Sequence, residues 1–96
     1  MPDDESPSPQ DLPIDGVLDL HTFRPEDIGD LIPDYLAACR ARGILEVRII
    51  HGKGSGILRR GVLALLPRLP YVESFAAATP LYGGEGATIV RLRAPD

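Results

Sequence analysis

The chain has 96 residues, one cysteine and a formal net charge of −4, enough for one domain and no second. A chain this short buries only about 60 to 65% of the surface its unfolded form exposes, so its core must be well used. The lone Cys39 excludes an intrachain disulfide and falls in an apolar helical stretch, where a small buried thiol is expected. The first fifteen residues carry acids and prolines where a signal peptide has a basic and then an apolar run, and no apolar stretch approaches membrane-spanning length. A cytoplasmic protein without a membrane partner is expected.

A negative balance argues against a nucleic-acid partner, because phosphate binding usually shows as excess Lys and Arg. The distribution of charge along the chain removes that objection. Asp3, Asp4, Glu5, Asp11 and Asp15 lie in the first fifteen residues with no base among them, which leaves nine acids against ten bases beyond. The electrostatic footprint must then be local. Lys53, Arg59 and Arg60 are the candidates, with Arg48 and Arg68 nearby in sequence.

In chain order, residues 1–13 combine Pro, Ser, Asp and Glu with little apolar content, which predicts a disordered acidic tail ahead of one domain over 14–96. Val17 to His21 alternates and reads as a first strand. Pro25 opens a turn of helix, and Asp30 is placed to cap a second helix that tolerates Pro33 in its first turn. That helix carries Leu31, Ile32, Tyr35, Leu36 and Cys39 at helical spacing and stops at Gly43, with a break expected near Gly29. Ile44 to Ile50 reads as a second strand, and strand, helix, strand at this length implies parallel pairing. Ile57, Leu58, Val62, Leu65 and Leu66 mark one face of a second helix, which Pro67 to Pro70 ends. Val72 to Ala78 and Ala87 to Leu92 are the last strands, joined through Tyr82-Gly83-Gly84-Glu85-Gly86. The order is β-α-β-α-β-β, an α/β fold with a small mixed sheet and helices covering it.

Asp19 and His21 are two apart on a strand, so their side chains leave the sheet on one side. His51 ends a strand expected to run parallel, so three titratable groups meet at the edge where open α/β sheets bind ligands. Either histidine alone suits a structural role; together they point to chemistry. The run His51-Gly52-Lys53-Gly54-Ser55-Gly56 feeds the start of a helix, where glycines let backbone N–H groups face an anion and Lys53 and Arg59 add charge. It is not a Walker A loop, because the G-x-x-x-x-G-K-[ST] spacing is absent. Gly83, Gly84 and Gly86 suit a hairpin loop, or alternatively a bare backbone that a nucleic-acid strand approaches closely, with Glu85 as a bystander.

Leu18-Asp19-Leu20-His21, then His51 to Gly56 with Leu58-Arg59, then Gly84-x-Gly86-Ala87-Thr88-x-Val90-x-Leu92, resemble the three signature blocks of the Smr (small MutS-related) family. That resemblance implies a two-layer sandwich similar to the C-terminal domain of translation initiation factor three. It also implies endonuclease activity on DNA or RNA, including messenger RNA on stalled ribosomes. Asp19 and His21 correspond to the block associated with catalysis, and His51 to Gly54 to the block associated with nucleic-acid contact or catalysis. Thr22 stands where many members have Gly. The chain carries no MutS ATPase portion, so mismatch recognition is not implied.

The expected mechanism has His21 and His51 sharing general acid and base roles, Asp19 orienting His21, and Lys53 with the loop amides stabilising phosphorane charge. Gly52, Lys53, Gly54, Ser55, Gly56, Arg59, Gly84 and Gly86 are the expected nucleic-acid contacts. RNA cleavage of this kind needs no metal, whereas DNA nicking would call on Mg²⁺ or Mn²⁺ near Asp19. The rival reading is a non-catalytic adaptor that binds nucleic acid or the ribosome. With only Phe23, Tyr35, Tyr71, Phe75 and Tyr82 as aromatics, sequence-specific single-strand recognition is not expected.

Overall fold

The computed structural model describes residues 12–95, so most of the expected disordered tail lies outside the described residues. Leu12, the first described residue, is half-buried against the core. Four strands, β1 (Val17–Asp19), β2 (Glu46–Ile50), β3 (Val72–Ala77) and β4 (Ala87–Leu92), form one sheet in the order β1-β2-β4-β3. β1 runs parallel to β2, while β4 is antiparallel to both of its neighbours. The chain therefore places β3 at the far edge after α2 (Ile57–Leu65), and β4 returns to fill the gap.

Helix α1 (Ile28–Ala41) continues directly from a 3₁₀ turn at Pro25–Asp27, so the break expected near Gly29 is not there. Pro33 falls inside α1, beyond the first turn where its local propensity would put it. Tertiary contacts outweigh its cost: the carbonyl of Pro33 accepts a hydrogen bond from the Tyr71 hydroxyl at 3.2 Å, and both flanking residues of the apolar face, Ile32 and Tyr35, are buried. The stop at Gly43 is as expected. Ile44 N–H donates to the Cys39 carbonyl at 2.9 Å and Gly43 N–H to that of Arg40 at 3.1 Å, the paired bonds of a Schellman end.

Both helices lie on the same face of the sheet. One cluster joins Leu18 and Leu20 of the β1 segment, Val47 and Ile49 of β2, and Val90 and Leu92 of β4 to Ile32, Leu36, Val62 and Leu66. On the opposite parity Val17, Asp19, Glu46 and Arg91 are exposed, and Arg48, Ile50 and Ile89 are half-buried. The result is the two-layer sandwich that the resemblance implied, with one sheet face open. Cys39 is fully buried, and burial pushes its thiol above the ordinary range.

Tyr35 ties the layers together where the chain enters β1. Its buried hydroxyl accepts the N–H of Gly16 at 3.2 Å and lies 3.1 Å from the Val17 carbonyl and 3.3 Å from an Asp15 carboxylate oxygen. Burial, with a smaller push from Cys39, raises its pKa from 10.0 to about 12. A phenol that stays neutral longer in the fold than in the unfolded chain contributes stability that is complete below pH 10 and is lost as pH rises towards 12. Tyr35→Phe should cost about 1–3 kcal/mol at neutral pH by orphaning the Gly16 N–H. Denaturant titrations from pH 8 to 12 should show the difference between parent and variant shrinking above pH 10; a constant difference would refute the assignment.

Candidate functional site

The carboxyl ends of β1 and β2 and the amino end of β4 meet at one rim of the sheet, where Asp19, Ile50 and Ala87 lie side by side. The expected strand through His21 ends at Asp19. A last ladder bond runs from Leu20 N–H to the Ile50 carbonyl at 2.9 Å, and the backbone then turns, with Phe23 N–H returning to the Leu20 carbonyl at 3.0 Å. The parity argument for Asp19 and His21 fails at that turn. What joins the two residues is a different bond: Asp19 Oδ1 accepts the backbone N–H of His21 at 2.9 Å. This is an Asx turn, in which a short carboxylate holds the main chain two residues on. The His21 side chain is exposed. Thr22 is also exposed, and no non-glycine among the described residues has positive φ, so this turn does not require a glycine.

His51 is the opposite case. Its ring is 8% exposed, with Nδ1 3.0 Å from the carbonyl of Gly52 and Nε2 2.9 Å from the Thr88 hydroxyl. A carbonyl only accepts, so the neutral ring carries its proton on Nδ1 and receives the Thr88 O–H at Nε2. Both nitrogens are thus engaged inside the protein. Thr88 shares the helix-covered parity with Val90 and Leu92, so His51 reaches the rim from the core side, whereas Asp19 stands on the open side. Sequence reasoning assigns Thr88 no partner. The signal is there nonetheless: a polar residue at a buried position of an apolar alternation must find one.

The two glycine-bearing loops are brought together. The Gly86 carbonyl accepts the N–H of His51 at 3.0 Å and of Gly52 at 2.8 Å. A Cβ built at Gly86 would stand 3.4 Å from Lys53 Cγ and 3.6 Å from the Gly52 carbonyl carbon, ordinary van der Waals distances that show how closely the two loops lie. The connection from β3 to β4 is built from two 3₁₀ turns, Pro80–Tyr82 and Gly84–Gly86, in place of a simple hairpin loop. Gly56, at φ +83°, precedes α2 in a conformation that suits glycine. It has no side chain with which to cap the helix, and no acid lies in the first turn; Ile57 N–H approaches Ser55 Oγ only at 3.4 Å. The remaining free amides, with exposed Lys53, Arg59 and Arg60, make this end of the helix receptive to an anion. Arg48 instead lies on the sheet strand β2, and Arg68 lies beyond the far end of α2, so neither joins this group.

Among the described residues, no group of three or more His, Cys, Asp or Glu side chains is placed to hold a metal ion. Asp19 alone does not supply the donor set that a divalent ion at the rim would need. No helix among the described residues is long and apolar enough to cross a membrane.

The fold and rim define a small two-layer α/β domain with a glycine-rich loop and two histidines at one sheet edge. The chain belongs to the Smr domain family, whose profile matches residues 18–93. Endonuclease MutS2 of Lactiplantibacillus plantarum is 41% identical over 76 residues, 79% of this chain and 10% of that protein. Endonuclease MutS2 of Thermus thermophilus is 48% identical over 58 residues, 60% of this chain and 8% of that protein. The chain thus spans a tenth or less of these relatives. The crystal structure of the Smr domain of Thermus thermophilus MutS2 superposes with a TM-score of 0.77 at 38% identity, covering 82% of this chain and 99% of that one. YdaL, a stand-alone small MutS-related protein from Escherichia coli, gives 0.76 at 31% identity, covering 81% and 64%.

The Thr88 to His51 bond makes a direct prediction. Thr88→Val keeps the shape but leaves Nε2 of a buried ring without a partner, and should cost about 1–3 kcal/mol. Denaturant unfolding measures the loss, and nitrogen chemical shifts of the parent ring should report the tautomer protonated at Nδ1. A neutral substitution would mean that the ring does not depend on Thr88.

Proposed function

We propose that this domain cleaves RNA, with His21 as general base, Asp19 as its positioning residue and the loop from His51 to Gly56 as the phosphate holder. The observation that carries the proposal is the state of His21: an exposed imidazole on a backbone fixed by Asp19 Oδ1, one residue beyond the ladder bond from Leu20 to Ile50. The 2′-oxygen attacks phosphorus as its proton passes to the His21 ring. The bond from phosphorus to the 5′-oxygen breaks, and water at the open rim supplies the proton that the departing oxygen takes. The product ends in a 2′,3′-cyclic phosphate. Lys53, Arg59 and the free amides of the loop and of Leu58 serve the charge that develops on the phosphorane oxygens.

His51 takes a different part from the one that equal sharing of acid and base roles would give it. With both nitrogens committed to Gly52 and Thr88, it holds the loop in place, and Gly86 supports that loop from the neighbouring turn, while Gly84 bonds back to Thr79. The same commitment favours a second reading, a module that binds RNA or ribosomes without cutting, because one free imidazole stands where paired acid–base chemistry uses two.

Incubation of the purified chain with end-labelled RNA and supercoiled plasmid, with and without EDTA, separates these readings. Cleavage of RNA in both conditions with cyclic-phosphate ends is expected, and His21→Ala should slow it about 10²- to 10⁴-fold. Retained binding with no cleavage of either substrate would establish the adaptor reading. Lys53→Ala should weaken binding irrespective of sequence and lower the slope of log K against log salt by about 1.

A further inference from the structure

Beside the glycine loop lies a cleft of about 250 Å³ that includes Pro25, Ile57 and Leu58 along with His51 and the backbone of Gly54 to Gly56. Its walls come from the segments that follow the two histidine blocks: Pro25 after the His21 turn, Ile57 and Leu58 at the start of α2. Helical spacing puts Ile57 on the core face of α2, but it is 51% exposed and takes no part in the core cluster, whereas Leu58 packs against it. A large aliphatic side chain at the mouth of a polar loop leaves apolar surface wet that a ligand would cover.

We infer that this cleft holds the base and sugar of one unpaired nucleotide, whose phosphate lies on the adjoining loop, so that the domain selects single strands over duplexes. The inference rests on the nucleic-acid reading of the loop. Size and charge together choose the occupant. At about 250 Å³ the cleft is smaller than the roughly 300–1,000 Å³ of sites that enclose drug-sized ligands, which limits it to a single nucleotide unit. The chain from His51 to Val72 carries Lys53, Arg59, Arg60 and Arg68 and no acid, which suits a polyanion. The acids beside Pro25, Glu26 and Asp27, each lie 3.7 Å from Arg24 Nε. An aliphatic wall offers contact to any base and reads none, so the selection is for an unstacked nucleotide and not for a sequence. A duplex must first unstack and unpair a base to use it, which costs a few kcal/mol.

The test measures binding of the full chain to an unstructured 2′-O-methyl RNA oligomer, which has no free 2′-hydroxyl to attack, and to the same oligomer annealed to its complement. The parent should bind the single strand about tenfold more tightly at equal salt. Ile57→Ser should remove most of that preference, lowering single-strand affinity about five- to tenfold with duplex affinity unchanged. Lys53→Ala should weaken both substrates alike. Ile57 is half exposed, and an unchanged unfolding midpoint for Ile57→Ser would confirm that the fold is kept. Equal affinity for both substrates in the parent, or an equal loss on both in Ile57→Ser, would overturn the cleft assignment even where cleavage of RNA is found. Single-strand preference that depends on Ile57 in a chain that cuts nothing would uphold the cleft and refute the proposed cleavage.

Discussion

One carbonyl organises the rim. Gly86 O accepts the N–H groups of His51 and Gly52 together, so two residues beyond β2 oppose a single residue before β4, in the manner of a bulge. That doubled bond ends the ladder, turns the chain away from the sheet and brings the two glycine-bearing segments into contact. The position of Lys53, the exit towards α2 and the burial of the His51 ring against Thr88 all follow from it. A Cβ at Gly86 would meet Lys53 Cγ and the Gly52 backbone at ordinary van der Waals distance, so the contact rests on the doubled hydrogen bond rather than on a steric need for glycine.

Much of this is legible in the sequence, and the parts that are not share a cause. Apolar patterning locates β1, β2, β4 and both helices, because a two-layer fold exposes one face of each element and so writes its period into the chain, whereas edge strand β3, with its irregular register at Val72 to Ser74, carries no such alternation. The covering of a single sheet face is not legible from β-α-β-α-β-β order alone. Alternation also misleads at His21, since it describes a residue only while the strand lasts, and the Leu20 to Phe23 turn begins just there. Pro33 misleads for the opposite reason: local propensity marks it as a first-turn residue, and the packing of Ile32, Tyr35 and Tyr71 around it prevails. Ile57 reads as a core position because spacing cannot separate the rim of an apolar stripe from its centre.

The charge pattern fits a weak general hold on phosphate with a local site, not a broad basic surface. Beyond residue 15 the bases and acids nearly balance, and the cations that stand at the loop are Lys53, Arg59 and Arg60, all exposed. Exposed cations lose much of their attraction over a Debye length of about 8 Å at physiological salt, so they would act on an anion locally and not from afar. The free amides at the start of α2 add direction to that charge, since N–H groups fixed by a helix point where the anion must sit.

The two histidines divide order and freedom between them. At His51 the ring is fixed, with both of its nitrogens committed to Gly52 and Thr88; at His21 the backbone is fixed by Asp19 and, through Leu20, by Ile50, while the ring stays in water. A reactive group is most useful when its anchor is rigid and its working atoms are free, and only His21 meets both conditions. The carboxylate of Asp19 then acts through geometry: by bonding the main chain it sets where the imidazole starts from, and leaves both ring nitrogens to whatever approaches the rim. An acid two residues before a histidine thus fixes the histidine's backbone without engaging its ring.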